Sequence, residues 1–519
     1  MRKIVLILVV LGLAATVVVG TLGRRDATVS PLERLKARYP TRHVSPIDHS
    51  KLAALQRTFA SPREVTAACL ACHTGRGVEV MASSHWNWTR REYVAGRGIR
   101  EIGKKNILNN FCIGVSSNLE GCDSCHAGYG MVDASFDFTD PTNIDCLACH
   151  DNSNTYSKTR GGMPAATVNL QQVAQHVGRP QRTNCGTCHF FGGGGNNVKH
   201  GDLEQALFDG NRQLDVHMAS EGANMQCVDC HVAENHNMLG KSYTVSSMNR
   251  NRVACEQCHS ASPHDDNVLN EHTLKVACQT CHIPTYARAN ATKMTWDWST
   301  AGRLRDGKPF EEHDAAGNLV YASIKGTFTW QTNVVPEYAW FNGTASHYLL
   351  GDAIDPAKPV PINTLYGSYD DRQSKIVPVK IHRANQIYDQ KTRQLIQPKL
   401  FAREPGEGGF WKDFNWQRSA EEGMRSVGLP YSGSYAFVRT DVSLPLNHMV
   451  APKAQAVGCQ QCHTRQRSRL AGLRDFYLPG RDRSGLVDTF GGVALLLVFG
   501  GVLVHGSARI VARRKRGRR

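Results

Sequence analysis

Glycine-rich signatures of nucleotide binding are missing from this 519-residue sequence. It contains neither a Gly-x-Gly-x-x-Gly fingerprint nor a Gly-x-x-x-x-Gly-Lys-Ser/Thr loop, so nothing in it indicates a bound nucleotide. Its run of four glycines, Gly192 to Gly195, lacks the helix pattern that follows a phosphate-binding loop. Such a run is more typical of a place where the backbone passes close to a bulky group.

Cysteine is scarce outside one recurring pattern. Of the 17 cysteines, 16 fall in eight Cys-x-x-Cys-His repeats, and only Cys112 lies outside them. A disulfide framework would not place a histidine at a fixed offset. Zinc centres would combine Cys-x-x-Cys pairs into four-thiolate sites and would not need the histidine. Both interpretations of the cysteine content are therefore disfavoured.

The repeats have the spacing of c-type haem attachment sites. Two thiols three positions apart can form thioethers with the two vinyl groups of one porphyrin, and the adjacent histidine supplies an axial ligand. The sequence therefore predicts eight covalently bound haem c groups. The attachment cysteines are Cys69, Cys72, Cys122, Cys125, Cys146, Cys149, Cys185, Cys188, Cys227, Cys230, Cys255, Cys258, Cys278, Cys281, Cys459 and Cys462. The predicted motif ligands are His73, His126, His150, His189, His231, His259, His282 and His463.

Long uncharged runs occur at both ends of the chain. Residues 1–26 are predicted to be a signal anchor or a signal peptide, because haem c is attached outside the bacterial cytoplasm. The uncharged run there is longer than a usual signal core and lacks an A-x-A site, which favours the uncleaved anchor. Residues 486–512 are predicted to form a transmembrane helix, with a buried soluble helix as the alternative. The basic tail 513–519 would stay cytoplasmic, which places the haem-binding part on the periplasmic side of the inner membrane.

The formal net charge of +16 does not indicate a nucleic-acid partner. Eight haems would add sixteen propionates, which offset this charge when all are ionised. Part of the arginine and lysine excess is therefore expected to pair with propionates.

The motifs divide the chain unevenly. Residues 27–285 hold seven motifs whose first cysteines lie 23 to 53 residues apart, so haems must supply most of the core. The predicted fold is a multihaem cytochrome c fold of short α-helices and irregular loops. Residues 286–445 are predicted to be a haem-free covering region with few short β-strands, two of them near 323–330 and 375–387. A separately folded domain is the alternative. Residues 446–485 carry the eighth motif.

Second axial ligands must come from the histidines outside the motifs. The histidines within or close to the haem-dense segment are predicted to serve, with His49 and His176 as alternatives. They are His85, His200, His217, His236, His264, His272 and His448. Seven ligands for eight haems leave one iron without a second histidine. An open or weakly held axial position can bind a substrate, so the shortfall predicts one catalytic haem and seven electron carriers.

Several segments between residues 60 and 465 resemble the octahaem tetrathionate reductase family of c-type cytochromes. They are 109–113, 122–130, 145–151, 155–158, 198–203, 277–284 and 292–298. The resemblance implies a second haem that has a lysine as axial ligand and reduces tetrathionate, nitrite or hydroxylamine, while the other haems are bis-histidine. Lys158 best matches that lysine, with Lys104, Lys105 and Lys199 as competitors. The predicted membrane spans depart from the family's soluble pattern and suggest that electrons arrive from a membrane partner or the quinol pool.

Three residues are predicted to be catalytic at this haem. Lys158 can coordinate because burial beside ferric iron disfavours the ammonium form; its alternative role is a solvated surface cation. Cys112 can engage a sulfur substrate by thiol exchange; its alternative is an inert buried cysteine. His126 is the motif ligand.

Three functions fit this pattern. The first is a membrane-anchored reductase of a small sulfur or nitrogen oxyanion. The second is an electron-transfer conduit from the quinol pool to another periplasmic enzyme, and the third is a hydroxylamine-oxidising octahaem enzyme. The predicted partners are a small anionic substrate, the membrane, and an electron-donor protein or quinol dehydrogenase.

Overall fold

The structure is a computed structural model that describes residues 47–111, 113–240 and 246–516. The predicted signal segment at 1–26, the predicted catalytic Cys112 and the last three residues of the basic tail lie outside the described residues.

Short helical turns carry the Cys-x-x-Cys-His motifs. Residues three apart lie on one face of a helix, so the two thiols of a motif project together. The α-helices are α1 (Pro62–Cys72), α2 (Arg76–Met81), α3 (Ser84–Asn87), α4 (Leu119–Cys122), α5 (Leu147–His150), α6 (Leu170–Gln175), α7 (Arg182–His189), α8 (Cys227–Cys230), α9 (Asn267–His272), α10 (Cys278–His282), α11 (Phe410–Asp413), α12 (Trp416–Ser426) and α13 (Gly485–Arg516). The 3-10 turns are His49–Lys51, Ala53–Leu55, Asp123–Cys125, Pro141–Asn143, Arg160–Gly162, Gln205–Leu207, Cys255–Gln257, Trp298–Thr300, Lys453–Gln455 and Cys459–Gln461.

Two small hairpins lie among the haem motifs, and the remaining strands follow the seventh motif. The hairpins are β1 (Arg90–Val94) with β2 (Gly98–Ile102) and β3 (Ala233–Glu234) with β4 (Asn237–Met238). The later strands are β5 (Thr292–Asp297), β6 (Glu311–His313), β7 (Leu319–Ala322), β8 (Gly326–Gln331), β9 (Glu337–Phe341), β10 (Ala345–His347), β11 (Val360–Pro361), β12 (Asn363–Leu365), β13 (Lys375–Asp389), β14 (Gln394–Leu395) and β15 (Tyr435–Pro445).

Nine of the later strands form one mixed sheet. Its order is β11-β15-β13-β5-β8-β7-β6, and β9 and β14 also pair with β13. Strands do form near 323–330 and 375–387, as predicted. The prediction of few short strands is nevertheless wrong, because β13 has 15 residues and β15 has 11. The stretch without haems must bury its own apolar side chains, and a long two-sided sheet provides that burial.

The sheet has a large apolar core of its own. Trp298 stacks on Trp296 with ring centres 4.8 Å apart, and Phe410 stacks on Trp416 at 3.9 Å. The haem-motif region has smaller apolar clusters, such as the one around Val65 and Leu147. The sheet also binds that region through buried polar contacts. Asn110 donates to the carbonyl of His382 at 2.8 Å, for example.

The C-terminal helix α13 follows the eighth motif. Its segment Gly485–Arg514 has 30 residues and a mean hydropathy of 2.1 in its apolar window, none of which is buried in the protein. A helix of this length spans about 45 Å, more than the roughly 30 Å of a bilayer core. The described chain therefore contains a helix that is long and apolar enough to cross a membrane, as expected for residues 486–512.

Candidate functional site

Seven of the eight motif histidines face a second histidine ring. In every pair the ring centres lie 6.1 to 6.4 Å apart. The pairs are His73 with His49, His189 with His85, His150 with His236, His259 with His217, His231 with His448, His282 with His264, and His463 with His272.

This spacing fits one metal ion between each pair of rings. A metal ion lies about 2 Å from an imidazole nitrogen, which itself lies roughly 1.2 Å from the ring centre, so two rings on one metal have centres about 6.4 Å apart. Each pair stands beside a Cys-x-x-Cys turn that can hold the porphyrin. The residues therefore fit haem irons with two histidine ligands.

Hydrogen bonds at Nδ1 orient several of these rings. An acceptor at Nδ1 keeps a proton there and leaves Nε2 free for a metal. The acceptor of His236 is Glu79 Oε2, at 2.8 Å. Backbone carbonyls serve the others: Gly178 for His150, Leu239 for His231, Val268 for His272 and Pro479 for His463, all at 2.7 to 2.8 Å.

Six of the seven predicted second ligands occupy these pairs, but His200 does not. His49, which the sequence kept in reserve, faces His73 on a 3-10 turn capped by Asp48. His200 lies next to Lys199. Burial holds the pKa of His200 well below the usual range. Tertiary contacts decide which histidine lies opposite a motif histidine. Distance along the sequence therefore could not show that His49, and not His200, takes such a position.

The second motif differs from the other seven. Nε2 of His126, the atom that the oriented motif histidines keep free, lies 2.6 Å from the carbonyl oxygen of Trp86. The ring stacks on Trp86 and meets Trp88 and Phe136 edge to face. Burial lowers the pKa of His126 to about 4. No other histidine ring in the described part of the chain pairs with it. The surroundings thus hold this imidazole in a protein pocket.

Lys158 lies against the backbone of the same motif. Its Nζ donates to the carbonyls of His126 and Gly128, at 2.6 and 2.9 Å, and lies 3.0 Å from Asp145 Oδ2. The Lys158 side chain is 7% exposed, so it is not a solvated surface cation. Asp145 also accepts a hydrogen bond from Tyr156 at 2.8 Å. The structure therefore brings Lys158 to the second motif.

Asp123 is a buried carboxyl between the two cysteines of this motif. Its Oδ1 accepts from the Gly161 amide at 3.0 Å, and its Oδ2 has no hydrogen-bond partner among the described residues. Burial raises the pKa of Asp123 to about 7, although the Gly161 amide and the charge of Lys158 act in the opposite direction. Neither the motif nor the spacing indicated this group, because any residue can stand between the two cysteines.

Two further lysines approach the second and fourth motifs. Nζ of Lys104 lies 4.0 Å from the centre of the Trp88 ring. Burial and, to a smaller extent, the charge of Lys104 lower the pKa of Lys199 to about 8. The glycine run lies beside Lys199, since a Cβ added at Gly192 would sit 3.9 Å from its Cδ. The third competitor, Lys105, instead stacks on Phe138 at 4.5 Å.

The cysteines show which motifs are neighbours. Side chains contact each other between Cys69 and Cys146, Cys125 and Cys188, Cys185 and Cys227, and Cys255 and Cys278. Electrostatic contacts join the third motif to the fourth, the fifth to the sixth and the seventh to the eighth. The motifs therefore form a continuous series in which the second branches from the fourth. Cys-x-x-Cys turns beside paired imidazoles define a multihaem c-type cytochrome.

The comparisons with known proteins agree with this class. The crystal structure of octaheme cytochrome c from Shewanella oneidensis superposes with a TM-score of 0.75 and 42% sequence identity, over 81% of this chain and 95% of that one. A family model described as bacterial cytochrome c matches residues 293–466. An uncharacterized protein of Archaeoglobus fulgidus is 26% identical in a 242-residue alignment that covers 37% of this chain and 80% of that protein. The chain belongs to the octahaem c-type cytochromes.

Proposed function

We propose that this protein is a membrane-anchored reductase of a small sulfur or nitrogen compound, such as tetrathionate, nitrite or hydroxylamine. One observation carries the proposal: seven motif histidines face a second histidine, whereas Nε2 of His126 is bound to the carbonyl oxygen of Trp86. In this proposal the seven pairs are bis-histidine electron carriers. The second motif differs because its haem is the reactive one.

Lys158, in place of His126, would hold the iron of this haem. It is buried against the backbone of the second motif. Asp145 accepts from both Lys158 and Tyr156, so it orients the amine and can accept the proton that Lys158 must lose before it binds iron. This proposal differs from the sequence prediction that His126 ligates this iron, which stays a prediction. When bound, the haem supplies one-electron transfer and an iron position that is open to a substrate atom.

The surrounding charges favour an anionic substrate. Lys104 and Lys199 lie within electrostatic range of each other and of the second and fourth motifs. An anion between them would relieve their mutual repulsion, which is one of the causes that lower the pKa of Lys199. Asp123, with a pKa near 7, can hold a proton close to the same motif. Two electrons would split the central S–S bond of tetrathionate and release two thiosulfates.

The series of neighbouring motifs favours a second candidate, an electron conduit. Contacts run from the first motif through the third to the eighth, which is the arrangement that electron transfer needs. A conduit would pass electrons from the quinol pool to another periplasmic enzyme. It does not explain the orientation of His126, so we rank it second.

Oxidation of reduced methyl viologen by the haem-loaded protein tests the proposal, with tetrathionate, nitrite and hydroxylamine offered in turn. We expect turnover with at least one substrate and a loss of about 100-fold or more in kcat for Lys158→Met. Lys105→Met, which removes a nearby lysine from Phe138, is the matched control and should retain activity. The near-infrared ligand bands of the ferric protein should change in Lys158→Met alone. Absence of turnover with all eight haems loaded would leave the conduit as the better assignment.

A further inference from the structure

The eighth motif lies at the point where the chain leaves the folded protein for the apolar helix. The carbonyl of Pro479 is 2.8 Å from Nδ1 of His463. A Cβ added at Gly480 would lie 2.8 Å from the carbonyl oxygen of His463. Helix α13 begins five residues later, at Gly485, and five residues span at most about 17 Å. The same short segment therefore holds this imidazole and leads into the helix.

Three segments form one continuous surface around this motif. His272 faces His463 with ring centres 6.2 Å apart. Lys275, three residues after His272, donates to the carbonyl of Tyr369 at 2.6 Å. Tyr369 in turn stacks on Phe476 at 5.5 Å. We call residues 266–276, 369–371 and 464–480 together the motif-eight surface.

The motif-eight surface exposes apolar and aromatic side chains. Val268 is 59% exposed and Leu274 is 69% exposed, on either side of His272. Tyr369 and Tyr477 are also exposed. Aromatic residues with a polar tip are enriched where a protein meets the headgroup region of a bilayer. Exposed apolar residues grouped on one surface mark an interaction site more often than isolated ones do.

The segment of this surface that leads into α13 is basic, whereas the other two segments carry the exposed acids Asp266, Glu271 and Asp370. Residues 464–484 contain the exposed arginines Arg465, Arg467, Arg474 and Arg483. The exposed carboxylate in this segment, Asp475, already accepts hydrogen bonds from the Trp340 indole and the Tyr369 amide. Arginines close to a membrane helix attract anionic lipid headgroups. The arginines, the exposed Tyr477 and the short link to α13 therefore point to the same occupant.

We propose that residues 464–480 of the motif-eight surface rest on anionic lipid headgroups, so that the eighth motif is the one closest to the bilayer. This inference rests on the membrane anchoring in the proposed function, but not on the reductase activity. An electron donor embedded in the membrane would meet the eighth motif before the others, at one end of the motif series.

Hydrogen exchange of the full-length, haem-loaded protein tests this contact. The protein is compared in nanodiscs containing phosphatidylglycerol, in nanodiscs of phosphatidylcholine alone and in detergent micelles. Residues 464–480 should exchange several-fold more slowly with phosphatidylglycerol than in the other two environments. Exposed turns of the sheet region, 304–308 and 403–407, should exchange equally in all three.

A charge-reversed variant makes the test specific. Arg465→Glu, Arg467→Glu and Arg474→Glu together should abolish the lipid protection. The matched control reverses three exposed cations elsewhere, by Lys308→Glu, Lys358→Glu and Arg425→Glu, and should keep it. Equal exchange in phosphatidylglycerol nanodiscs and in detergent would overturn the inference, as would full protection in the first variant. Co-elution with the nanodisc reports anchoring separately, and viologen oxidation reports the reductase activity separately.

Discussion

The cores of residues 47–285 and residues 292–445 differ in composition. The largest apolar cluster confined to the first region has six buried members, which include Val65 and Leu147. The cluster under the sheet has 24, among them Trp298 and Phe410, and only four of these come from the first region. The first region contains seven haem motifs and the second contains none. Covalent haem thus takes the place of a side-chain core in one region, and the other region has to build its own.

Preventing haem attachment should have the largest effect, and the effect should differ between the two regions. Without porphyrins, residues 47–285 have too little apolar surface to offset the conformational entropy of folding. We expect the full-length haem-free chain to keep the sheet and to lose the ordered haem-motif region. Limited proteolysis with mass spectrometry should yield a protected fragment from about 290 to about 450, since cleavage follows exposed, unfolded backbone. Resistance to protease throughout the haem-free chain would contradict this expectation.

Trp298→Ala should destabilise the sheet region by about 3–5 kcal/mol, because a fully buried indole leaves a cavity. Its ring lies between Trp296 at 4.8 Å and Trp416 at 6.1 Å. Denaturant unfolding followed by circular dichroism measures the loss, and the haem spectrum should not change. Trp86→Ala is the matched change in the haem-motif region, where Trp86 is also fully buried. It should alter the spectrum of the second haem, and an unaltered spectrum would contradict the proposed environment of His126.

The two regions also differ in how much the sequence could predict. Cys-x-x-Cys-His is a local signal, so the attachment residues and the helical turns that carry them follow from spacing. The strands near 323–330 and 375–387 follow from β-branched and aromatic composition. The length of β13 could not be predicted from composition, because its buried Lys380 and His382 break the apolar pattern. The positions of His49 and His126 could not be predicted either, since both depend on contacts with distant segments.

Lys380 joins the two regions and should make stability depend on pH. It is fully buried in β13 and donates to the carbonyls of Val198 and Lys199, at 3.0 and 2.9 Å. Burial holds the pKa of Lys380 well below its usual range, although Asp202 acts in the opposite direction. Above that lowered pKa and below about 10.4, unfolding takes up a proton, so the free energy of unfolding increases with pH.

The slope contributed by Lys380 is at most about 1.4 kcal/mol per pH unit. Urea unfolding at pH 7, 8 and 9 measures it. Lys380→Met should flatten the slope, whereas Lys308→Met, at an exposed turn, should leave it unchanged. Parallel pH profiles for wild type and Lys380→Met would show that Lys380 keeps its proton through its hydrogen bonds.

Surface ion pairs should show the smallest effect, and the same effect in both regions. Arg57 lies 3.5 Å from Glu64 in the haem-motif region, and Arg425 lies 3.0 Å from Glu422 beside the sheet. Both arginines are more than half exposed, so solvent screens the pairs and each contributes about 0.5 kcal/mol or less. Arg57→Ala and Arg425→Ala should therefore change the urea midpoint almost equally little. A loss above about 1 kcal/mol in one region alone would mean that surface charge, as well as the buried material, distinguishes the two regions.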